Sequence, residues 1–351
     1  MTKVLRNVLV IGLGLLTTVS YAQSIDVESR TRIDMSNDNG GDDKMLTNQR
    51  VTTSVSFGGS NWGIYMSNDF NYTLGGGNAL GDPMASIYEA YASTDLMGFA
   101  NLTVGRQALS YGSGALMSTR DWGNDRTTWD GMKFDFNLDA VSASLGYANT
   151  NLGLVDSEDQ TKTWVNVAGN FSGFDVNVLY MDKQLGDADD SDAAMGIDLS
   201  GEIAGANIMA SINSDYEGDK MNMFGLTYAI NDDMSIMVSQ TSYDEDNDGD
   251  FGMAGTNMDG SWDVTGNLGY LASGMDDLTI GLNYDMGSVS LGAALHTITD
   301  NNDDDYERSA TEINLGYNFS DNAALGITMI SDDMGMDADD TYTYVTLTIT
   351  P

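Results

Sequence analysis

Apolar and polar residues alternate with a period of two along most of this chain, and that alternation limits the fold more than any other feature. Leu278, Ile280, Leu282 and Tyr284 alternate with Thr279, Gly281, Asn283 and Asp285. Val289, Leu291, Ala293 and Leu295 alternate with Ser290, Gly292, Ala294 and His296, and Ile313, Leu315, Tyr317 and Phe319 with Asn314, Gly316 and Asn318. The same pattern marks 324–329 and 345–350. Period two is the signature of a strand with one apolar and one polar face. Here the polar face is small, or Asn and Asp, and the apolar face often ends in Tyr or Phe, as in a transmembrane barrel with an aromatic girdle.

Connections between the strand-like runs are of two kinds. Asn137-Leu138-Asp139, Ser172-Gly173, Ser200-Gly201, Asp285-Met286-Gly287 and Ser320-Asp321-Asn322 read as tight turns. Residues 37–44, 156–160, 186–192, 244–250, 300–307 and 331–340 read as longer acidic loops. Short and long connections largely alternate, as between the two ends of an outer-membrane barrel. The expectation is an all-β fold, a transmembrane antiparallel β-barrel of about 18 strands, with about 16 or 20 compatible, each of about ten residues.

At the N-terminus, Lys3 and Arg6 precede the short apolar run Val8–Leu16, and Ser20-Tyr21-Ala22 supplies small residues for cleavage. Residues 1–22 therefore read as a secretory signal peptide and 23–351 as the barrel. Cysteine is absent. An exported β protein without disulfides draws its stability from a large core or from a membrane.

The formal charge of −39 excludes nucleic acid as a partner, because binding it requires a positive surface. The partners expected are outer-membrane lipid and lipopolysaccharide, and small hydrophilic solutes; a homo-oligomer is compatible. No serine–histidine–acid set, His/Cys metal cluster or phosphate loop can be assembled, so no enzyme is expected. The single histidine, His296, sits at the polar parity of a strand. No cofactor is expected. Asp244, Asp246, Asp248 and Asp250 space oxygen ligands as the start of a Ca2+ loop does, but the closing position holds Gly255.

The basic residues are concentrated. Arg30, Arg32, Lys44, Arg50, Arg106, Arg120, Arg126 and Lys133 are eight of the chain's fourteen. Arg30, Arg32, Arg50 and Lys133 fall at lumen parity, where a charge avoids a lipid-facing cost of about 2–4 kcal/mol at the midplane. Arg106 shares parity with Leu102 and Val104, so it requires a bulge or an early strand end to reach the lumen. Two readings stand open: a positive stripe on one wall of an acidic pore, or buried partners that fix the wall.

The stretch Gly105–Gly131 is the longest run without alternation that is not simply Asp-rich, and it reads as an ordered loop inserted into a barrel or folded over its rim. Gly105-Arg106-Gln107, Leu109, Tyr111-Gly112, Gly114, Asp121-Trp122, Arg126-Thr127 and Trp129-Asp130-Gly131 are similar, in type and spacing, to the alginate-export family of outer-membrane β-barrels. Ser113 and Ala115 depart from it, standing where an acidic and a basic residue would be expected. The resemblance implies an 18-stranded barrel, and its best-known members pass a polyanionic polysaccharide through an arginine-lined pore. It also implies that Arg106, Arg120 and Arg126 line the pore or its constriction. The reading reached is an outer-membrane porin for small hydrophilic solutes or ions. A channel specific for anionic oligosaccharides and a calcium-binding adhesive surface protein are the alternatives.

Overall fold

The computed structural model describes residues 22–37, 45–75, 83–124, 126–150, 160–185, 191–244, 250–252, 268–333 and 339–351. Residues 1–21 of the proposed signal segment, Lys44, Asp246 and Asp248 lie outside them. The strands are β1 (Ala22–Asp34), β2 (Leu46–Gly58), β3 (Trp62–Thr73), β4 (Met84–Asp95), β5 (Asn101–Gln107), β6 (Trp129–Leu138), β7 (Val141–Thr150), β8 (Gln160–Phe171) and β9 (Phe174–Leu185). They continue as β10 (Ser191–Ile203), β11 (Ala206–Ser214), β12 (Lys220–Ala229), β13 (Met234–Tyr243), β14 (Met275–Asp285), β15 (Val289–Asp300), β16 (Asp303–Ser320), β17 (Ala323–Asp333) and β18 (Asp340–Ile349). Each pairs antiparallel with its neighbour in sequence, and β1 also pairs with β18, from Ser29 opposite Ile349 to Asp34 opposite Tyr344. The sheet is therefore a closed 18-stranded ring.

The two faces invert the rule for a soluble protein. Outward, Leu278, Ile280 and Leu282 are 40–46% exposed, whereas inward-facing Asp277 and Thr279 are each 7% exposed. Large apolar side chains cover the outside on strand after strand, from Ile25 and Val27 to Leu315 and Phe319. An exposed apolar surface of that extent requires lipid.

Tight turns close one end of the ring. Ser172 and Gly173 both take positive φ (55° and 91°), the geometry of a two-residue hairpin turn matched to strand twist. Asp285-Met286-Gly287 and Ser320-Asp321-Asn322 fall at strand junctions as read from sequence. Two connections differ. Ser200-Gly201 lies inside β10, opposite Met209 and Ile208, and the turn is Ala204-Gly205 (φ 53° and 82°). Gly201 is there because the Phe174 ring packs where its Cβ would stand, 2.6 Å away. Residues 300–307 are not a long loop: Asn301 and Asn302 turn the chain, and β16 begins at Asp303. The β15 ladder satisfies that backbone, with Arg308 opposite Ile298, so acidic composition does not break the strand.

Leu315 sits mid-sheet between Leu291 and Ile327 on the outer face. Leu315→Arg is expected to destabilise the vesicle-folded protein by about 2–4 kcal/mol. Urea titration in lipid checks this; an unchanged midpoint would remove the assignment of that face to lipid.

Candidate functional site

Residues 108–128 join β5 to β6 and touch both halves of the ring. At one wall, Arg30 and Arg50 stand directly opposite each other on β1 and β2. Like charges so placed repel. The segment supplies hydrogen-bond acceptors that engage both. Arg30 donates to the Asp121 carbonyl (2.6 Å), the Gly123 carbonyl (2.8 Å) and Asn124 Oδ1 (3.0 Å). Arg50 donates to the same two carbonyls (3.1 and 3.0 Å) and to Glu28 (3.2 Å). Arg32 donates to the Trp122 carbonyl (2.6 Å) and lies 3.6 Å from the centroid of that indole. Asn71 Nδ2 donates to the Asn124 carbonyl (2.9 Å). Three wall arginines thus clasp the peptide groups of 121–124.

Arg126 reaches back in the other direction. Its guanidinium donates to both carboxylate oxygens of Asp69 (3.0 and 2.5 Å) and to Thr52 Oγ1 (3.1 Å), with Tyr88 stacked 3.3 Å from it. Burial lowers the tendency of Arg126 to hold its proton. The hydrogen bonds and charge of Asp69, with Tyr88 and Asp121 behind it, outweigh burial and leave the pKa above its ordinary value.

The near part of the segment meets the opposite wall. Trp164 Nε1 donates to Tyr111 Oη (3.3 Å), Ser113 and Ser211 share a hydrogen bond (2.9 Å), and Tyr270 Oη donates to the Ala115 carbonyl (2.9 Å). Leu116 and Met117 are buried with Trp164, Met181, Met221 and Ile298, an apolar cluster inside the ring. Gly112 has φ +58°, and the Asp198 carboxylate occupies the space a Cβ would need. Met117, Met181 and Met221 therefore face inward, not to lipid. Ser211 is on β11, nine strands from β2 in a ring of eighteen, so the segment's contacts lie half a turn apart.

The other candidate residues are placed as follows. Arg120 adopts φ 55°, and its carbonyl accepts from Gly123 N–H (3.1 Å). Lys133 faces inward and pairs with Asp135 (3.0 Å). Arg106 is on the outer face. Gly105 stays in register opposite Tyr91, so no bulge changes the parity, and Arg106 pairs across the ladder with Asp130 (2.8 and 2.6 Å). Asp244 is paired with Lys220 (2.5 Å), and Asp250 accepts from the Ser273 amide (2.7 Å). Between the segment and the tight-turn end lies a cavity of about 1220 Å3. Gly112 and Ser113 line it on one side, and Phe99, Asn137 and Ala140 on the other.

Three features escaped the sequence reading. One is the apolar cluster around Leu116 and Met117, whose signal was the unbroken run Ala115-Leu116-Met117. Another is the contribution of Tyr270 and Leu271. The third is the use of backbone carbonyls as partners for the arginines.

The profile of the family described as alginate export matches residues 38–328. The chain belongs to the alginate-export family. Its fold is similar to solved outer-membrane barrels. Pseudomonas aeruginosa OccK11 (OpdR) aligns with a TM-score of 0.71 at 12% identity, covering 93% of this chain and 95% of that one. Acinetobacter baumannii OccAB1 aligns with a TM-score of 0.69 at 13% identity, covering 94% and 96%. P. aeruginosa OpdK, solved with vanillate, aligns with a TM-score of 0.70 at 11% identity, covering 94% and 98%. No curated protein matches by sequence. A closed barrel with an apolar exterior, in this family, is an outer-membrane protein.

Asp69→Ala removes the buried carboxylate from the Arg126 guanidinium and leaves it only the exposed Asp121 at 3.4 Å, a change that costs up to about 3–5 kcal/mol at a buried pair. The expected result is faster hydrogen exchange at the Thr127 amide, which bonds to the Thr119 carbonyl (2.9 Å), with the barrel ladders unaffected. Unchanged exchange at Thr127 would mean that the pair does not hold the segment.

Proposed function

We propose that this alginate-export family member is a passive channel for small hydrophilic solutes and ions, with 108–128 as its constriction. The observation that carries the reading is a cavity of about 1220 Å3 inside a lipid-facing ring, lined by apolar groups and several carboxylates, reaching the tight-turn residues Phe99, Asn137 and Ala140 and bounded on the other side by Gly112 and Ser113 of that segment. A solute would descend its gradient beside the segment, and no chemistry is required of the wall. OpdK, a barrel of similar fold, has been solved with vanillate, and a solute of that size class suits the cavity here.

Arg30, Arg32, Arg50 and Arg126 act in this reading as the fixings of the constriction. Their guanidinium groups are engaged by the segment's carbonyls and by Asp69. They are thus poorly placed to conduct a polyanion, and the anionic-oligosaccharide alternative loses its main support. The lipid-facing exterior argues in the same way against a secreted adhesive protein.

Carboxylates on the cavity wall, including Asp175, Asp198, Asp277 and Glu312, with no Lys or Arg among the lining residues, raise the local cation concentration. Single-channel recording in a planar bilayer under a salt gradient is expected to show steady conductance with cation preference. The double variant Arg30→Ala/Arg50→Ala, which releases 121–124, is expected to conduct more. Absence of conductance from folded protein would sink the channel reading. An unchanged conductance in the double variant would remove the constriction role from the segment.

A further inference from the structure

Register arranges the inward side chains of β9 to β13 in rows along the cavity wall. One row runs Asp175 (β9), Ser200 (β10), Met209 (β11), Gly225 (β12) and Ser239 (β13). The next, nearer the segment 108–128, runs Asn177, Asp198, Ser211, Met223 and Thr241 on the same strands. Met237 stands one row nearer the tight-turn end, between Thr227 on β12 and Gly281 on β14. All three methionines line the cavity.

Large apolar side chains are out of place on a polar lumen face, yet Met209 is 39% exposed there. Two glycines let the methionines lie flat. A Cβ at Gly225 would stand 2.8 Å from Met209 Cγ and 3.2 Å from its Sδ, and one at Gly281 would stand 3.2 Å from Met237 Cε. Each of these side chains therefore lies along the backbone of the next strand. Met223 is the diagonal neighbour of Met209 across the β11–β12 ladder, at the usual separation of about 7–8 Å. Together they form an apolar shelf on the wall, open to the cavity.

Negative charge borders the shelf. Asp198 is the diagonal neighbour of Met209 on β10, and Asp175 lies two strands away in the row of Met209. Asp198 accepts from Ser211 Oγ (2.6 Å) and Asn177 Nδ2 (3.5 Å), and Asp175 from Asn170 Nδ2 (2.9 Å). All three donors are neutral, so they orient the carboxylates without cancelling their charge. Small-molecule sites combine an apolar lining with a few polar groups that fix orientation. Thioethers adapt their shape and contact aromatic rings favourably. A carboxylate beside them draws a cation in and keeps an anion away. A ring without charge would gain nothing from Asp198, and a bare alkylammonium nothing from the shelf. We infer that Met209, Met223 and Met237, with Asp198, form a docking shelf for a small organic cation that carries an aromatic ring, the ring on the thioethers and the ammonium toward the carboxylate. This names a solute class for the channel proposed above and rests on that reading for its role in transport.

Isotope-labelled methionine methyl groups in the full, detergent-folded protein report on the shelf, with each resonance assigned by a single Met→Leu substitution. Phenethylammonium is expected to shift those of Met209, Met223 and Met237 saturably. Methylammonium, which has the charge without the ring, and phenylacetate, which has the ring with the opposite charge, are expected to leave them in place. Met66 and Met329 are on the lipid-facing side, 46% and 49% exposed, and register partition of the probe into detergent. Asp198→Asn is expected to weaken phenethylammonium binding about tenfold, and Met209→Ser/Met223→Ser about threefold or more. The shelf is overturned by the absence of a saturable shift at the three lumen methionines, by a matching shift at Met66 and Met329, by an equal response to methylammonium or phenylacetate, or by unchanged affinity in either variant. Conductance measured on the same preparation separates the two readings. Current with no phenethylammonium shift leaves the channel and removes the shelf, and a saturable shift without current leaves the shelf and removes the channel.

Discussion

The whole architecture depends on one pairing, that of β1 with β18. In the hydrocarbon layer no water is available to satisfy peptide groups, so a sheet spanning it cannot keep an open edge. The hydrogen bonds from Ser29–Ile349 to Asp34–Tyr344 abolish the two edges that a meander of any length would otherwise retain. Once the ring is closed, the period-two alternation has only one orientation open to it: apolar groups outward to lipid and polar groups inward. An even number of strands also brings both chain ends to the tight-turn side. The longer connections are then gathered on the other side, and among the described residues 108–128 has contacts that reach across the interior.

Inside the ring the problem is the opposite one, of placing charge where little water remains. Arg30 and Arg50 face each other across a ladder and would repel if left alone. The carbonyls of Asp121 and Gly123 each accept from both, so one short piece of backbone serves two guanidinium groups. The arginines immobilise the segment, and the segment makes their juxtaposition tolerable. The acidic wall is handled differently. Lys133 partners Asp135, and Asp277 is met by His296 and Thr279.

Much of the fold was legible because a strand writes its two faces directly into sequence. Leu278 to Tyr284 and Ile313 to Phe319 needed nothing beyond parity, and parity alone puts Arg106 outside once Gly105 is found to keep register. Turns were less legible. Ser200-Gly201 carries the residues of a turn, yet its glycine serves a neighbouring aromatic ring, and the acidic run after Asp300 is strand because its partner, not its composition, satisfies the backbone. The site was legible only as a list of unusual residues. That Arg30, Arg32 and Arg50 gather at one place follows from β1 and β2 being neighbours. What they bind does not follow, since a backbone carbonyl leaves no mark in the residue alphabet. The neighbours of His296 were hidden for a related reason: Asp277 lies 19 residues before it and Glu312 16 after it, and they come near it only through register.

The segment's anchorage at Arg30 and Arg50 on one side and at Tyr111 and Ser113 on the other has a mechanical consequence. A hollow cylinder of 18 strands is easily flattened, because a small change of angle at each ladder adds up to an oval. A tie fixed at β2 and at β11 sets the length of one diameter and opposes that deformation. The element that narrows the passage therefore also keeps its cross-section round, and its width cannot be tuned independently of the stiffness of the wall.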